Sequence, residues 1–428
     1  MRILKSLLCL LIVISSVGYA AETSAASEPN GILTLGEALA LTLMHNPELK
    51  VFSLETRAAQ ARELQAGLRP NPELGIEVEN IGGRGELSGV NSAETTIQLG
   101  QLIELGGKLE KRKRVASFEK ELAGVDYQNK KLEVFSEATK TFISVLKAQE
   151  KFLLSQELLM LSEESFATVG KRVQAGKDSP IEEIRASVAH ANIKISHLES
   201  QRELEYARKK LASFWGQNNP LFQEAAGNLD SVEQLPVSEN LISRLQLNPE
   251  YARWKIEIQK SQAALDLEKS KAISDITIVG GVRRFNETDE NAFVVGFSVP
   301  LPIFDRNQGG KQEAFYNLLK AREEQTAALL RLQNEFNAAY LEFTNSYSQS
   351  VSLKNEVLPG ATKMFDAAKR AYEEGKMDYL NVLDAQRTFF DVKNEYIENL
   401  ADYHSSRTDI ERFIGKEIES INNSESEQ

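Results

Sequence analysis

The sequence predicts an internally duplicated, mainly α fold with a β-barrel part. Three observations carry that expectation: a repeat with a period of about two hundred residues, helical stretches too long for a globular domain, and four alternating strand patterns arranged as two hairpins. Asn46-Pro47-Glu48 recurs as Asn248-Pro249-Glu250, and Gln60-Ala61 as Gln262-Ala263. Gly106-Gly107-Lys108 returns as Gly309-Gly310-Lys311. Gly176-Lys177, Ala186, Glu199, Arg208, Phe214 and Gly216 return as Gly375-Lys376, Ala385, Glu398, Arg407, Phe413 and Gly415. A single repeat of this size is one folded unit duplicated, with the two copies packed as pseudo-equivalent neighbours.

The expected division follows from the repeat: residues 1–20 as a signal peptide, 21–235 and 236–415 as the two repeats, and 416–428 as a polar disordered tail. Each repeat contains a β-hairpin, at 72–105 and 275–304, followed by a long helical hairpin, at 108–215 and 311–415. The signal reading rests on basic Arg2 and Lys5, an apolar run from Leu7 to Val17, and small residues around Ala20. No other apolar run approaches the roughly 20 residues of a membrane-spanning helix, so the exported chain is expected to be soluble, peripheral or a β-barrel protein. Cys9 is the only cysteine. Ser6-Leu7-Leu8 before it lacks the small residue that lipoprotein processing requires, which disfavours an acyl anchor, and the mature chain is left without a disulfide or thiolate ligand. The excess of 62 acidic over 50 basic residues argues against nucleic acid as a partner; an acidic lumen suits cationic cargo, and an ordinary solvated surface accounts for the same balance.

Two proline-poor stretches rich in Glu, Lys, Ala, Leu and Gln, from Lys108 to about Gln174 and from Lys311 to about Glu373, are read as helices, each on the order of 100 Å long. Spacings of three and four alternate along Leu329, Leu332, Phe336, Ala339, Phe343, Ser346, Ser350, Leu353 and Val357. The same spacing links Phe389, Val392, Tyr396, Asn399, Tyr403, Ser406, Ile410 and Phe413, and in the first copy Ile184, Val188, Ala191, Ile195 and Leu198. Such spacing keeps a seam against a partner helix. The small and polar seam residues fit a broad helical sheet better than a two-stranded coil. Glycine-centred tips at Gly176 and Gly375 turn each long helix back, with Ser179 before Pro180 as cap and first-turn residue.

The strands alternate with period two. Leu74, Ile76 and Val78 precede a glycine-rich loop and a strand from Thr95 to Ile103. Ile276, Ile278, Gly280 and Val282 precede a polar loop from Asn286 to Asn291 and the apolar series Phe293, Val295, Phe297, Val299 and Leu301. At about 9 to 10 residues each strand would cross a bilayer when tilted. Four strands leave two open edges, which lipid does not tolerate, so a membrane reading needs several chains to share one barrel. The alternative, two small soluble sheets, is favoured by the strands alone; the export signal and the helix lengths favour the membrane.

In order and in register, these features resemble the TolC-like outer-membrane efflux channels from Leu35-Gly36-Glu37-Ala38 to Gly415. Three segments are similar to the CzcC-like heavy-metal branch: Leu68-Arg69-Pro70-Asn71-Pro72-Glu73-Leu74, Ile103-Glu104-Leu105-Gly106-Gly107-Lys108, and the run from Val299 through Pro302-Ile303-Phe304-Asp305-Arg306-Asn307 to Gly309. The resemblance implies a homotrimeric channel in the outer membrane of a Gram-negative bacterium. Three chains would form a shared twelve-strand barrel in outer-membrane lipid and a periplasmic α-helical tunnel. It also implies a periplasmic adaptor (membrane fusion protein) and an inner-membrane RND pump (of the resistance-nodulation-division class) as partners, with no cofactor. A drug exporter, a type I protein secretion duct, and a periplasmic coiled-coil adaptor with no pore are the alternatives; the exposed Phe and Val face of the last strand argues against the adaptor.

No catalytic constellation is evident. Glu182-Glu183 and Glu163-Glu164 read as solvated helix faces, and His190 and His197, seven apart, read as packed or solvated rather than as a metal pair. What the resemblance implies instead is a periplasmic gate at Asn381-Val382-Leu383-Asp384-Ala385. There Asp384 falls on a gate aspartate position and Asn381 replaces a second; an intersubunit hydrogen bond is the competing role for Asp384. The adaptor-docking positions it implies are Arg172, Gly176, Lys177 and Ser179 at the first tip and Gly375, Lys376 and Asp378 at the second.

Overall fold

The computed structural model describes residues 28–233 and 238–415; the expected signal peptide with Cys9, and the polar tail, lie outside the described residues. A short strand β1 (Ile32–Thr34) leads into α1 (Leu35–His45) and α2 (Pro47–Ala66), then β2 (Glu73–Glu79) and β3 (Glu94–Ile103). The 67-residue α3 (Lys108–Gln174) and α4 (Pro180–Ala212) follow, and β4 (Glu224–Ala226) pairs parallel with β1. The second repeat comprises α5 (Ser238–Ile242), α6 (Pro249–Lys271), β5 (Ile276–Phe285), β6 (Glu290–Ser298), α7 (Gln308–Ser352), α8 (Leu358–Glu373) and α9 (Tyr379–Ile414).

The duplicated Asn-Pro-Glu has a physical role. Asn46 Oδ1 accepts from the backbone N–H of Glu48 and Leu49, and Asn248 Oδ1 from that of Glu250, so each caps a helix whose first residue is proline. The amide of each asparagine also donates to a carbonyl at the end of the returning helix, Asn46 to Phe214 at 2.9 Å and Asn248 to Phe413 at 2.8 Å. The motif therefore splices α4 to α2 and α9 to α6. A spliced pair lies beside the single long α3 in the first repeat and beside α7 and α8 in the second.

Several expectations change. The second long helix is not continuous: a π turn at Leu353–Val357 separates α7 from α8. Pro359 cannot donate to the carbonyl four residues back, and the wider turn absorbs that missing bond. Strand β2 has 7 residues rather than 9 or 10, and the second hairpin turns over residues 286–289, with Asn291 already in β6 and Val299 and Leu301 beyond it. The seam of α9 packs as expected, with Phe389, Val392, Tyr396, Asn399, Tyr403, Ser406, Ile410 and Phe413 all buried. Its polar members pair with the α7 seam: Ser350 Oγ donates to Asn399 Oδ1 at 2.5 Å, and the Ser346 and Ser406 hydroxyls lie 3.2 Å apart. The α4 seam does not pack within the chain; Ile184, Val188, Ile195 and Leu198 are 64, 56, 55 and 44% exposed.

Strand order is β2-β3-β5-β6, antiparallel throughout. The helices nearest the sheet pack in the matching order α2-α3-α6-α7. Register aligns Ile76 with Ile97, Ile97 with Val282 and Val282 with Phe293, which gathers the apolar side chains on one face. Glu73, Glu77, Glu79, Glu94, Thr96, Gln98 and Arg283 share the other with Leu102, Val279, Phe285 and Val294. A Cβ on Gly281 would lie 2.5 Å from the Ile97 carbonyl oxygen, so glycine permits the close approach of β5 to β3. Among the described residues no helix is long and apolar enough to cross a membrane.

Candidate functional site

At the far end of the helices, both repeats turn with the same hydrogen bonds. Gly176 and Gly375 have φ of 69° and 73°, the left-handed region that glycine adopts without strain. Lys177 N–H donates to Arg172 O and Gly176 N–H to Val173 O, both at 2.9 Å; Lys376 to Ala371 and Gly375 to Tyr372 repeat the pair at 2.8 and 2.9 Å. These are Schellman closures, in which the glycine satisfies carbonyls left over at the helix end. Ser179 caps α4, accepting weakly from Ile181 N–H at 3.5 Å, while Asp378 occupies the corresponding position before α9 without a side-chain cap bond.

A cluster absent from the sequence reading joins the two tips. Arg172 donates to both carboxylate oxygens of Asp178, at 2.8 and 3.1 Å, and Tyr372 Oη donates to the same carboxylate at 2.6 Å. The guanidinium lies 4.5 Å from the Tyr372 ring centroid. The bonds from Arg172 and then Tyr372 hold the Asp178 carboxyl below its ordinary range; burial, and then the bond to Asp178, raises the Tyr372 phenol. Burial beside Glu182 pushes Tyr379 up to about 12. Arg172 is thus committed inside the tip, whereas Lys177, Ser179, Gly375, Lys376 and Asp378 are exposed. Asp178 sat in the sequence beside the tip glycine, but only the fold reveals that Tyr372, about two hundred residues away, completes the cluster.

Asn381 and Asp384 are both exposed on α9, one turn apart, opposite buried Val382, Ala385 and Gln386. The exposed stripe continues through Asp391, Glu395, Glu398 and Asp402, spaced by threes and fours. Sequence reasoning missed this stripe, although the count that located the buried seam one face away would have found it. Glu163 and Glu164 are exposed, as a solvated face should be. Glu182 is not: its side chain is 16% exposed, one oxygen accepts from Arg185 at 2.9 Å, and the other is enclosed without a partner. His190 and His197 pack between α3 and α4, stacked on Phe166 and Phe152 and hydrogen-bonded at 3.0 Å to Ser162 and Ser155. Among the described residues no group of three or more His, Cys, Asp or Glu is placed to hold a metal ion.

At the opposite end the apolar sheet face is open. Leu74, Ile76, Phe293, Val295 and Phe297 are 66 to 89% exposed, a contiguous surface that water does not favour.

This architecture has counterparts. The family model described as "Outer membrane efflux protein" matches residues 38–217 and 241–416. The cobalt-zinc-cadmium resistance protein CzcC of Cupriavidus metallidurans is 34% identical over 389 residues, 91% of this chain and 91% of that protein. The nickel and cobalt resistance protein CnrC of the same organism is 24% identical, covering 71% of this chain and 70% of its own. Among solved structures, a membrane protein from Pseudomonas aeruginosa superposes with a TM-score of 0.77 at 16% identity, over 90% of each chain. The outer membrane protein VceC from Vibrio cholerae does so with a TM-score of 0.73 at 15% identity, over 90% of this chain and 96% of that one. With both halves matched and the duplicated helix-and-strand plan shared, the chain belongs to the outer membrane efflux protein family.

Proposed function

We propose that this protein is one subunit of a homotrimeric outer-membrane duct, the exit component of a tripartite system that exports divalent heavy-metal cations of the cobalt, zinc and cadmium type. The observation that carries the assembly is that sheet and helical layer end on matching open edges: β2 and β6 above, α2 and α7 below, α4 towards the tips. Unpaired strand edges are intolerable in lipid, and identical head-to-tail contacts close into a ring when the rotation permits. Three copies give twelve strands, with the apolar face towards lipid and the acidic face lining the lumen. An inner-membrane RND pump and a periplasmic adaptor meeting the tips at Gly176, Lys177, Ser179, Gly375, Lys376 and Asp378 complete the path.

The cargo class rests on similarity to CzcC and CnrC and agrees with the acidic wall. Cells lacking this chain are expected to lose tolerance to at least one of cobalt, zinc and cadmium. Unchanged tolerance to all three, together with new sensitivity to an organic toxicant, would assign the duct to a drug exporter.

The α9 stripe, starting at Asp384, lines the narrow end of the tunnel in this reading. Three Asp384 carboxylates around one axis would collect divalent cations, which favour oxygen ligands. Asp384→Ala is therefore expected to raise single-channel conductance in planar bilayers and to weaken block by divalent cations. Unchanged conductance and block would remove Asp384 from the gate and leave Asn381 or an apolar constriction as the closure.

A further inference from the structure

We propose that residues 299–306, between β6 and α7, anchor the protein to the periplasmic leaflet of the outer membrane by binding phospholipid. The proposal rests on the outer-membrane reading above and adds to it a specific lipid-binding surface. Beyond the last strand residue the apolar face does not stop: Leu301, Ile303 and Phe304 are 76, 60 and 91% exposed and continue the series Phe293, Val295 and Phe297. The segment lies at the helix end of the sheet, where β6 hands over to α7. That junction is the level of the membrane interface if the strands cross the bilayer and the helices leave it.

The segment is built to stay in place there. Pro300 and Pro302 have no N–H to satisfy. Ile303 N–H donates to Leu301 O at 2.9 Å, Arg306 N–H to Gln308 Oε1 at 2.8 Å and Asn307 N–H to Asp305 Oδ1 at 2.8 Å. Asn307, in the left-handed region with φ of 54°, ties the segment to α6 through the carbonyl and carboxylate of Glu268 at 2.8 and 2.6 Å. The two prolines and these three bonds reduce the number of backbone N–H groups that would have to be desolvated at an interface. Arg306 sits beside the apolar residues, its guanidinium donating to Pro302 O at 3.2 Å and towards Ile303 O at 3.4 Å, with donors to spare. An exposed aromatic and aliphatic pair next to an arginine suits the boundary between acyl chains and phosphates.

Cysteine scanning with a nitroxide label tests this on the trimer in phospholipid vesicles, in a Cys9→Ser background. Collision with dissolved oxygen, enriched in lipid, is compared with collision with a water-soluble nickel chelate. Val295→Cys reports on the sheet face, Phe304→Cys and Leu301→Cys on the anchor, and Lys177→Cys on a water-exposed tip. The expected result is an oxygen-to-nickel ratio at Phe304 and Leu301 several-fold above that at Lys177 and below that at Val295, placing the anchor shallower than the sheet. Lipid contact at Val295 with water contact at both anchor sites overturns the anchor alone. Low collision with both reagents there also overturns it, because a neighbouring subunit then covers the segment. Water contact at Val295 as well would overturn the outer-membrane reading and the anchor with it.

Discussion

Two carboxylates on the open seam of α4, Val188→Glu with Ile195→Glu, are expected to abolish the trimer and leave the single chain folded. Both positions are more than half exposed within one chain, so the substitutions cost the subunit little. In a ring the seam faces a second copy, and each unpaired charge taken from water costs several kcal/mol, three interfaces over. The same substitutions also remove two of the seam's four large apolar side chains, each worth about 1.5–3 kcal/mol when fully buried, so the interface loses on both counts. The double variant should sediment as a monomer in detergent with native helical circular dichroism, while Val188→Ala with Ile195→Ala should weaken the trimer only in part. A stable trimer carrying both glutamates would mean that α4 does not meet a neighbouring chain.

The second large effect is expected at the tips. Arg172 and Asp178 belong to the α3–α4 turn and Tyr372 to α8, so the tips cannot part without losing the Tyr372–Asp178 hydrogen bond and the stacking of Arg172 on the Tyr372 ring. Tyr372→Phe removes one charge-assisted bond, worth about 2 kcal/mol, or roughly a thirtyfold shift per subunit towards separated tips. Asp178→Ala should exceed this, because it also leaves Arg172 unpaired. In planar bilayers both variants should open more often than the parent, with trimers retained. The pH dependence follows from the direction of each shift. Asp178, with its pKa below 3.8, stabilises the tip above that value and loses the contribution as pH falls through the lowered pKa; Tyr372, raised above 10.0, stabilises it below that value and loses the contribution as pH rises through the raised pKa. Opening should therefore be independent of pH between about 5 and 9. A steep change within that window would place the controlling group elsewhere.

Much of the plan was legible because it rests on local rules. The tip glycines, the Asn-Pro caps and the period-two strands each announce themselves within a few residues, and the duplication supplies a second reading of each. The three-and-four spacing of α9 correctly named its buried residues. The same spacing on α4 named a seam that the single chain leaves open, because periodicity fixes which residues face a partner without fixing which chain provides it. The π turn is not legible because a single proline such as Pro359 marks a break or a kink without saying which, and its effect depends on how the helix redistributes a missing hydrogen bond. The tip cluster escaped for another reason. Arg172 and Asp178 are near in sequence, but Tyr372 joins them only when the two repeats pack, and no local pattern encodes that contact. Buried Glu28 is similar: its carboxylate accepts from Trp215 Nε1 and from the backbone of Leu221 and Phe222, almost two hundred residues on.

If separate chains close one barrel, edge strands of neighbouring chains lie side by side, and disulfide trapping between them measures this directly. Strands β2 and β6 lie at opposite edges of the four-stranded sheet, about 14 Å apart at the usual strand spacing, beyond the reach of a disulfide within one chain. With Cys9 as the only native cysteine, Ile76→Cys can be combined in turn with Phe293→Cys, Val295→Cys and Phe297→Cys in a Cys9→Ser background and oxidised in isolated outer membranes. At least one register is expected to give a covalent ladder ending at three chains. Monomers alone in every register, or a ladder running past three, would contradict a barrel shared by three chains.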